Sequence, residues 1–268
     1  FAEDVLEHFF FEEQVYLLAQ MNQVLKTGGV FRVLMPNLGS LVAVRQQFDA
    51  SQDFLARNFG VQTGADALNL GMRFGGHRWL HDDQSLLRLA ELAGFAATPT
   101  SCRVSKVPQL TGINRGDEST TLTFAHDLVK TRSMRKLVLT PVEVSGARPC
   151  GELSPKQPLY KSTAQDSQVR YVLPETISAR DSVLLVFRGG NLSQTREHNH
   201  SVVYLIESEE ASLPIDRSLS SAAHSSMVAA PLIRARVGDA RVSSIRRDPS
   251  RNPADFFTVG PAEVYLLG

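Results

Sequence analysis

Cysteine is scarce in this 268-residue chain, with Cys102 and Cys150 its two. A pair at that spacing makes neither a disulfide framework nor a zinc pattern, and reads as two structural thiols of a reducing compartment. Tryptophan occurs once, as Trp79. No apolar run approaches the ~20 residues that a membrane-spanning helix needs. Neither sign of charge is in excess, since 28 Lys and Arg balance 28 Asp and Glu. Without a long basic run, the counterion-release signature of a nucleic-acid binder is missing. Arg234, Arg236, Arg241, Arg246 and Arg247 interleave with apolar residues and fit the solvated face of a strand. No signal-peptide pattern opens the chain and no internal repeat is visible. The expectation is a cytoplasmic protein with neither nucleic acid nor membrane as partner.

What is present is a globular composition, 43% hydrophobic and 21% charged, in a chain long enough for two domains. Residues 1–133 alternate helical and strand patterns. Val15, Leu18, Met21 and Leu25 recur at intervals of three and four and predict one apolar helix stripe. Glu12 and Glu13 suit the positive N-terminus of that helix, Lys26 its C-terminus, and Gly28 a left-handed cap. "VFRVLMP" follows, a nearly continuous apolar run that predicts a strand covered on both faces. A less regular helical stretch spans roughly 41–59. "HDDQSLLRLAELAGF" predicts another helix, capped by Asp82 or Asp83 and stopped at Gly94. Residues 101–107 and 119–125 read as two closing strands. The order is that of an α/β domain.

From about Met134 the helical period disappears. Short β-rich segments such as "KLVLTPVEV", "SVLLVF", "SVVYLIES" and "AEVYLL" recur between Pro, Gly, Ser and Asn turns. That rhythm predicts an all-β sandwich or jelly roll over 134–268.

"VLEHF", "VLKTGGVFRVLMPNL" and "HRWLHDDQSLLRLAELAGF", in that order, resemble the C-terminal half of class I S-adenosylmethionine-dependent methyltransferases, over roughly residues 1–130. The resemblance implies a partial Rossmann-like sheet in which "FAED" is a strand's carboxyl end, where open α/β sheets place their ligands. Ala2 and Glu3 would then border S-adenosylmethionine, with Asp4 and His8 as catalytic candidates. No G-x-G occurs in the chain, so the glycine loop and three strands of such a sheet are expected upstream of Phe1. Alternatively, a partner chain completes the sheet. Weak or absent cofactor binding by this chain alone is the corollary. The implied acceptor is a saccharide or another small molecule of glycan biosynthesis. The alternative is a non-catalytic glycan- or protein-binding β-sandwich beside a remnant domain.

Methyl transfer needs an aligned nucleophile and, where it keeps its proton, a base. His8 suits that base or a substrate contact; equally, Glu7-His8 orients its loop. In "GGHRWLHDD", His77, Arg78, Trp79 and His81 follow a flexible Gly75-Gly76 pair and suggest a substrate lid. Arg78 suits a carboxylate or phosphate, and Trp79 a sugar or ring. The alternative is an aromatic staple before a capped helix. No metal-ligand set is assigned. His198 and His200 suggest a metal pair, but Tyr204 and Leu205 stand where the cupin motif wants Glu. Asn191 and Asn199 match the glycosylation acceptor pattern without a secretion signal. "SIRRDPSRNPADFFTVGPAEVYLL" resembles a strand-turn-strand of β-sandwich modules attached to bacterial glycan-biosynthesis enzymes.

Overall fold

The computed structural model describes residues 1–49, 54–113, 122–154, 157–162, 168–172, 182–191, 200–207, 212–219, 226–229, 233–234, 241–242 and 257–267. The chain divides into two units, Phe1–Met134 and Arg135–Leu267. Among the described strands, no sheet draws from both.

In the first unit, β1 (Ala2–Glu3) leads through a 3-10 turn (Leu6–His8) to α1 (Phe11–Val24) and β2 (Val30–Pro36). Four helices follow, α2 (Leu38–Gln46), α3 (Phe54–Phe59), α4 (Gly64–Arg73) and α5 (Asp83–Leu92), then β3 (Phe95–Thr100) and β4 (Thr123–Lys130). The sheet order is β1-β2-β4-β3. Only β1 and β2 pair in parallel; β2–β4 and β3–β4 are antiparallel. Phe31 to Met35 of β2 are all buried, as a strand flanked on both sides and covered on both faces requires. Val15, Leu18 and Ala19 of α1 and Leu86, Leu89 and Ala90 of α5 have no exposure. Tyr16 of α1, Leu41 of α2 and Ala67 of α4 add to the helical share of the core. Asp82 caps α5 by accepting from the Ser85 amide at 2.8 Å. Gly94 takes φ +78° just past the last turn, the left-handed stop that glycine allows cheaply.

The second unit contains strands alone among its described residues. They are β5 (Arg135–Leu139), β6 (Glu143–Ser145), β7 (Ala147–Ser154), β8 (Gln157–Ser162), β9 (Gln168–Val172) and β10 (Ser182–Asn191). β11 (His200–Glu207), β12 (Ser212–Leu219), β13 (Ser226–Ala229), β14 (Ile233–Arg234), β15 (Arg241–Val242) and β16 (Phe257–Leu267) complete them. One sheet runs β13-β10-β16-β8-β7, with β14 on β10 and β5 on β16; the other runs β12-β11-β15-β9-β6. All their pairings are antiparallel. Val169 and Tyr171 of β9, and Leu184 and Val186 of β10, are two apart and buried, so each strand turns one face inward.

Several sequence expectations are corrected. Mixed helices and strands are present, and the first unit's sheet is itself mixed, with one parallel pair and two antiparallel ones. The stretch 41–59 holds two helices, and α4 was not expected because Gly64 and Gly71 lower its helical signal. Gly71 has a packing role: a Cβ there would stand 2.7 Å from Leu41 Cδ2. Gly28 is left-handed, at φ +81°, yet α1 already ends at Val24 and Gly28 instead turns the chain into β2. Residues 101–107 form a loop rather than a strand. Its carbonyls at Ser101, Cys102 and Val104 accept from the Arg32 guanidinium at 2.7–2.9 Å instead of joining a ladder. The closing strands are therefore 95–100 and 123–130.

Candidate functional site

The start of the chain and residues 77–82 meet through backbone bonds. β1 lies beside β2, and the Asp4 amide donates to Leu34 O at 3.1 Å. Asp4 then turns the chain with φ +52°, the one non-glycine residue with positive φ among those described. Leu6 sinks into the core, which leaves the Glu7 carbonyl to accept from the amides of Arg78 (2.7 Å) and Trp79 (3.2 Å). From the other side, the Leu38 amide donates to His81 O at 2.8 Å.

Gln14 ties these segments together. Its side-chain amide donates to the carbonyls of Leu6 (2.8 Å), Phe9 (3.1 Å) and Trp79 (3.1 Å). Its Oε1 accepts from His81 Nε2 at 2.6 Å, and the Ser85 hydroxyl donates to His81 Nδ1 at 2.9 Å. The Asp82 amide in turn donates to Ser85 Oγ. This network fixes His81 as the neutral Nε2–H tautomer. Burial pushes its pKa down to about 4, although Asp82 pulls the other way. His81 is thus a buried side chain that pins residues 77–82 to α1 and α5.

Glu7 is the chemically exceptional residue. Its side chain has no exposure, and neither carboxylate oxygen has a hydrogen-bond partner. Burial raises its pKa to about 7, helped by the charge of Asp4 and opposed by its own backbone amide, which stops short of hydrogen-bond geometry. His77 Nε2 stands 4.0 Å from Glu7 Oε1, too far for a hydrogen bond. The other ring nitrogen, Nδ1, lies 3.1 Å from Gly71 O, so it carries the proton and donates. His8 and His77 rings lie 5.2 Å apart, inclined at 57°. Burial lowers the pKa of His77 and raises that of Asp4, whose charge both histidines partly offset. Gly75, with φ +67°, lies against both rings. A carboxylate poised to gain or lose a proton beside two imidazoles can exchange protons near neutrality, or hold a cation.

An aromatic rim adjoins this segment. Trp79 is 46% exposed and Phe10 42%. The Trp79 ring packs at 5.5 Å on Phe11, and Arg78 Cζ lies 5.0 Å above the Phe10 ring.

The structure brings Glu7, His8 and His77 together. Asp4 is coupled to both histidines through their charges, while Arg78 and Trp79 face solvent. Ala2 is buried in β1 against Val33, and Glu3 is half-buried opposite Leu34. Sequence reasoning named His8 and His77 for separate roles and treated Glu7 only as a loop-orienting residue. The Glu7-His8 dipeptide was the available signal, but burial of one acidic residue is not legible in a string. Residues 192–199, with His198 and Asn199, and 243–256, with the "SIRRDPSRNPADF" turn, lie outside the described residues, as do the side chains of Cys150 and His200. Among the described residues, no helix is long and apolar enough to cross a membrane.

No protein-family model matches the chain, and no curated protein matches it. Solved structures do. The CBM36-1 domain of a multidomain xylanase from the hindgut metagenome of Trinervitermes trinervoides is 11% identical, with a TM-score of 0.34 over 48% of this chain and 96% of that one. The low-affinity xylan-binding module CBM86 of Roseburia intestinalis is 12% identical, with a TM-score of 0.34 over 51% and 97%. A botulinum neurotoxin type C chain is 10% identical, at 0.26 over 52% and 44%. Likenesses this distant assign no function. The methyltransferase resemblance is corrected: no family model and no curated protein supports it. The cofactor-bordering roles of Ala2 and Glu3, and the methyl-transfer roles of Asp4 and His8, lose the ground they rested on.

Proposed function

We propose that this protein binds saccharide, with the surface around Trp79 as its contact. The observation that carries this reading is a half-exposed Trp79 whose backbone is pinned on both sides. Its amide donates to Glu7 O and its carbonyl accepts from Gln14. A flat apolar ring held in place presents a stacking face at little entropic cost, and sugar rings offer apolar C–H faces to such a surface. Arg78, Asp4 and His8 supply charged or hydrogen-bonding groups nearby for hydroxyls or acidic sugar substituents.

A second reading places the saccharide on the second unit, favoured by its wholly antiparallel sheets. Of its aromatics, Tyr171 and Tyr265 have no exposure. Retention of the full-length chain on insoluble polysaccharides, xylan among them, separates the two. The Trp79 reading requires retention that Trp79→Ala abolishes. Undiminished retention of the variant moves the contact to the second unit, and a wild-type chain that binds none refutes both.

A further inference from the structure

Glu7 and His77, which take no part in the proposed saccharide contact, cluster with His8. Glu7 comes from the 3-10 turn after β1, His8 from the next position, and His77 from a loop 70 residues on. Their Oε, imidazole nitrogen and Nε2 atoms all lie within 4.8 Å of one another. We propose that Glu7, His8 and His77 form a binding site for a divalent transition-metal ion, with zinc the foremost candidate.

Four observations carry this. First, both Glu7 oxygens are buried and unpartnered. Stranding a carboxylate in that way costs several kcal/mol unless a cation or proton meets it. Second, His77 donates Nδ1–H to Gly71 O, which turns the Nε2 lone pair toward the Glu7 carboxylate 4.0 Å away. Lone pair facing carboxylate is repulsive as it stands, and attractive once a cation lies between. An imidazole whose second nitrogen is held by a backbone carbonyl is also the usual outer arrangement of a metal-binding histidine. Third, the span is right. Ligand atoms at about 2.1 Å from a tetrahedral ion stand roughly 3.4 Å apart, so a small closing of this cluster suffices. Gly75 and Gly76, at φ +67° and +89°, sit next to His77 and make that closing inexpensive.

The fourth observation is donor chemistry. Two imidazoles and one carboxylate suit Zn²⁺, Fe²⁺ or Mn²⁺ and not Ca²⁺ or Mg²⁺, which take oxygen ligands. Three protein ligands leave at least one position for water or an incoming oxygen, and Asp4 is the nearest further carboxylate in charge terms. The site is therefore of the open kind and not the closed four-ligand kind.

Isothermal titration of the chelator-treated full-length chain with Zn²⁺ tests the proposal, alongside thermal melts with and without the ion. One equivalent should bind in the low micromolar range or tighter, and the melting temperature should rise with ion concentration. Glu7→Gln and His77→Gln should each weaken that affinity about 100-fold or more. Should Glu7→Gln fail to fold, His8→Asn at the half-exposed edge keeps the test intact. No binding, or binding unchanged in His77→Gln and His8→Asn, overturns the proposal.

Discussion

Arg32 and Asp127 face each other in register across β2 and β4, joined at 2.9 Å with neither side chain exposed. Arg32 also donates to Thr100 Oγ1 and to three carbonyls of the 101–104 loop. Asp127 Oδ2 accepts from the Ser105 hydroxyl and the Lys106 amide. Burial works to raise the pKa of Asp127, and these partners outweigh it and hold it low. The pair thus folds a loop over the sheet as well as neutralising itself. Arg32→Ala should destabilise the first unit by about 3–5 kcal/mol, because it leaves a buried carboxylate uncompensated. Chemical denaturation that shows a loss below ~1 kcal/mol would contradict this.

Asn22 has a comparable role at the far end of α1. Its side-chain amide donates to Ala93 O (2.9 Å) and Arg132 O (2.8 Å), and its Oδ1 accepts from the Met134 amide at 3.0 Å. One buried residue therefore holds the end of α5 and the last residues of the first unit. Asn22→Ala strands three backbone groups, and about 2–4 kcal/mol of lost stability is expected. Asn22→Ser, which restores one polar atom, should recover part of it.

The pH dependence of stability should carry the mark of His81. Its folded pKa, about 4, lies below the ordinary 6.5. The unfolded chain therefore binds more protons between those values, and the His81 contribution is full above pH 6.5 and lost as pH falls toward 4. Its ceiling is roughly 3 kcal/mol. Gln14, Ser85 and Asp82 are the polar groups facing it, and of these only Asp82 carries charge. Glu7, raised to about 7, has the opposite sign, with stability lost as pH rises from 4.5 toward 7. Comparing wild type with His81→Asn isolates the first slope. Equal slopes in the two proteins would rule out a buried neutral His81.

How much of this was legible in the sequence varies residue by residue. Helix α5 was readable because Asp82, the Leu86–Leu89–Ala90 stripe and Gly94 all state one element. The α1 stripe was readable in part: Val15 and Leu18 are buried, whereas Met21 and Leu25 are only half so and Asn22 is buried in their stead. The 101–107 loop looked like a strand because alternation was its only local signal. The residue that decides its conformation, Arg32, is about 70 positions away. The same distance hid the Glu7–His77 relationship, since the two become neighbours only once the Arg78 amide donates to Glu7 O. Family resemblance misled for a different reason: short apolar and glycine-bounded stretches fit many α/β domains.

Trp79 is the one tryptophan in the chain, so its fluorescence reports on the proposed contact without interference from any other indole. Titration of the full-length protein with soluble xylo-oligosaccharides and other glycans should produce a saturable change in intensity and a blue shift, as stacking takes the half-exposed ring out of water. A featureless titration across the panel, together with unimpaired binding by Trp79→Ala, would contradict the account.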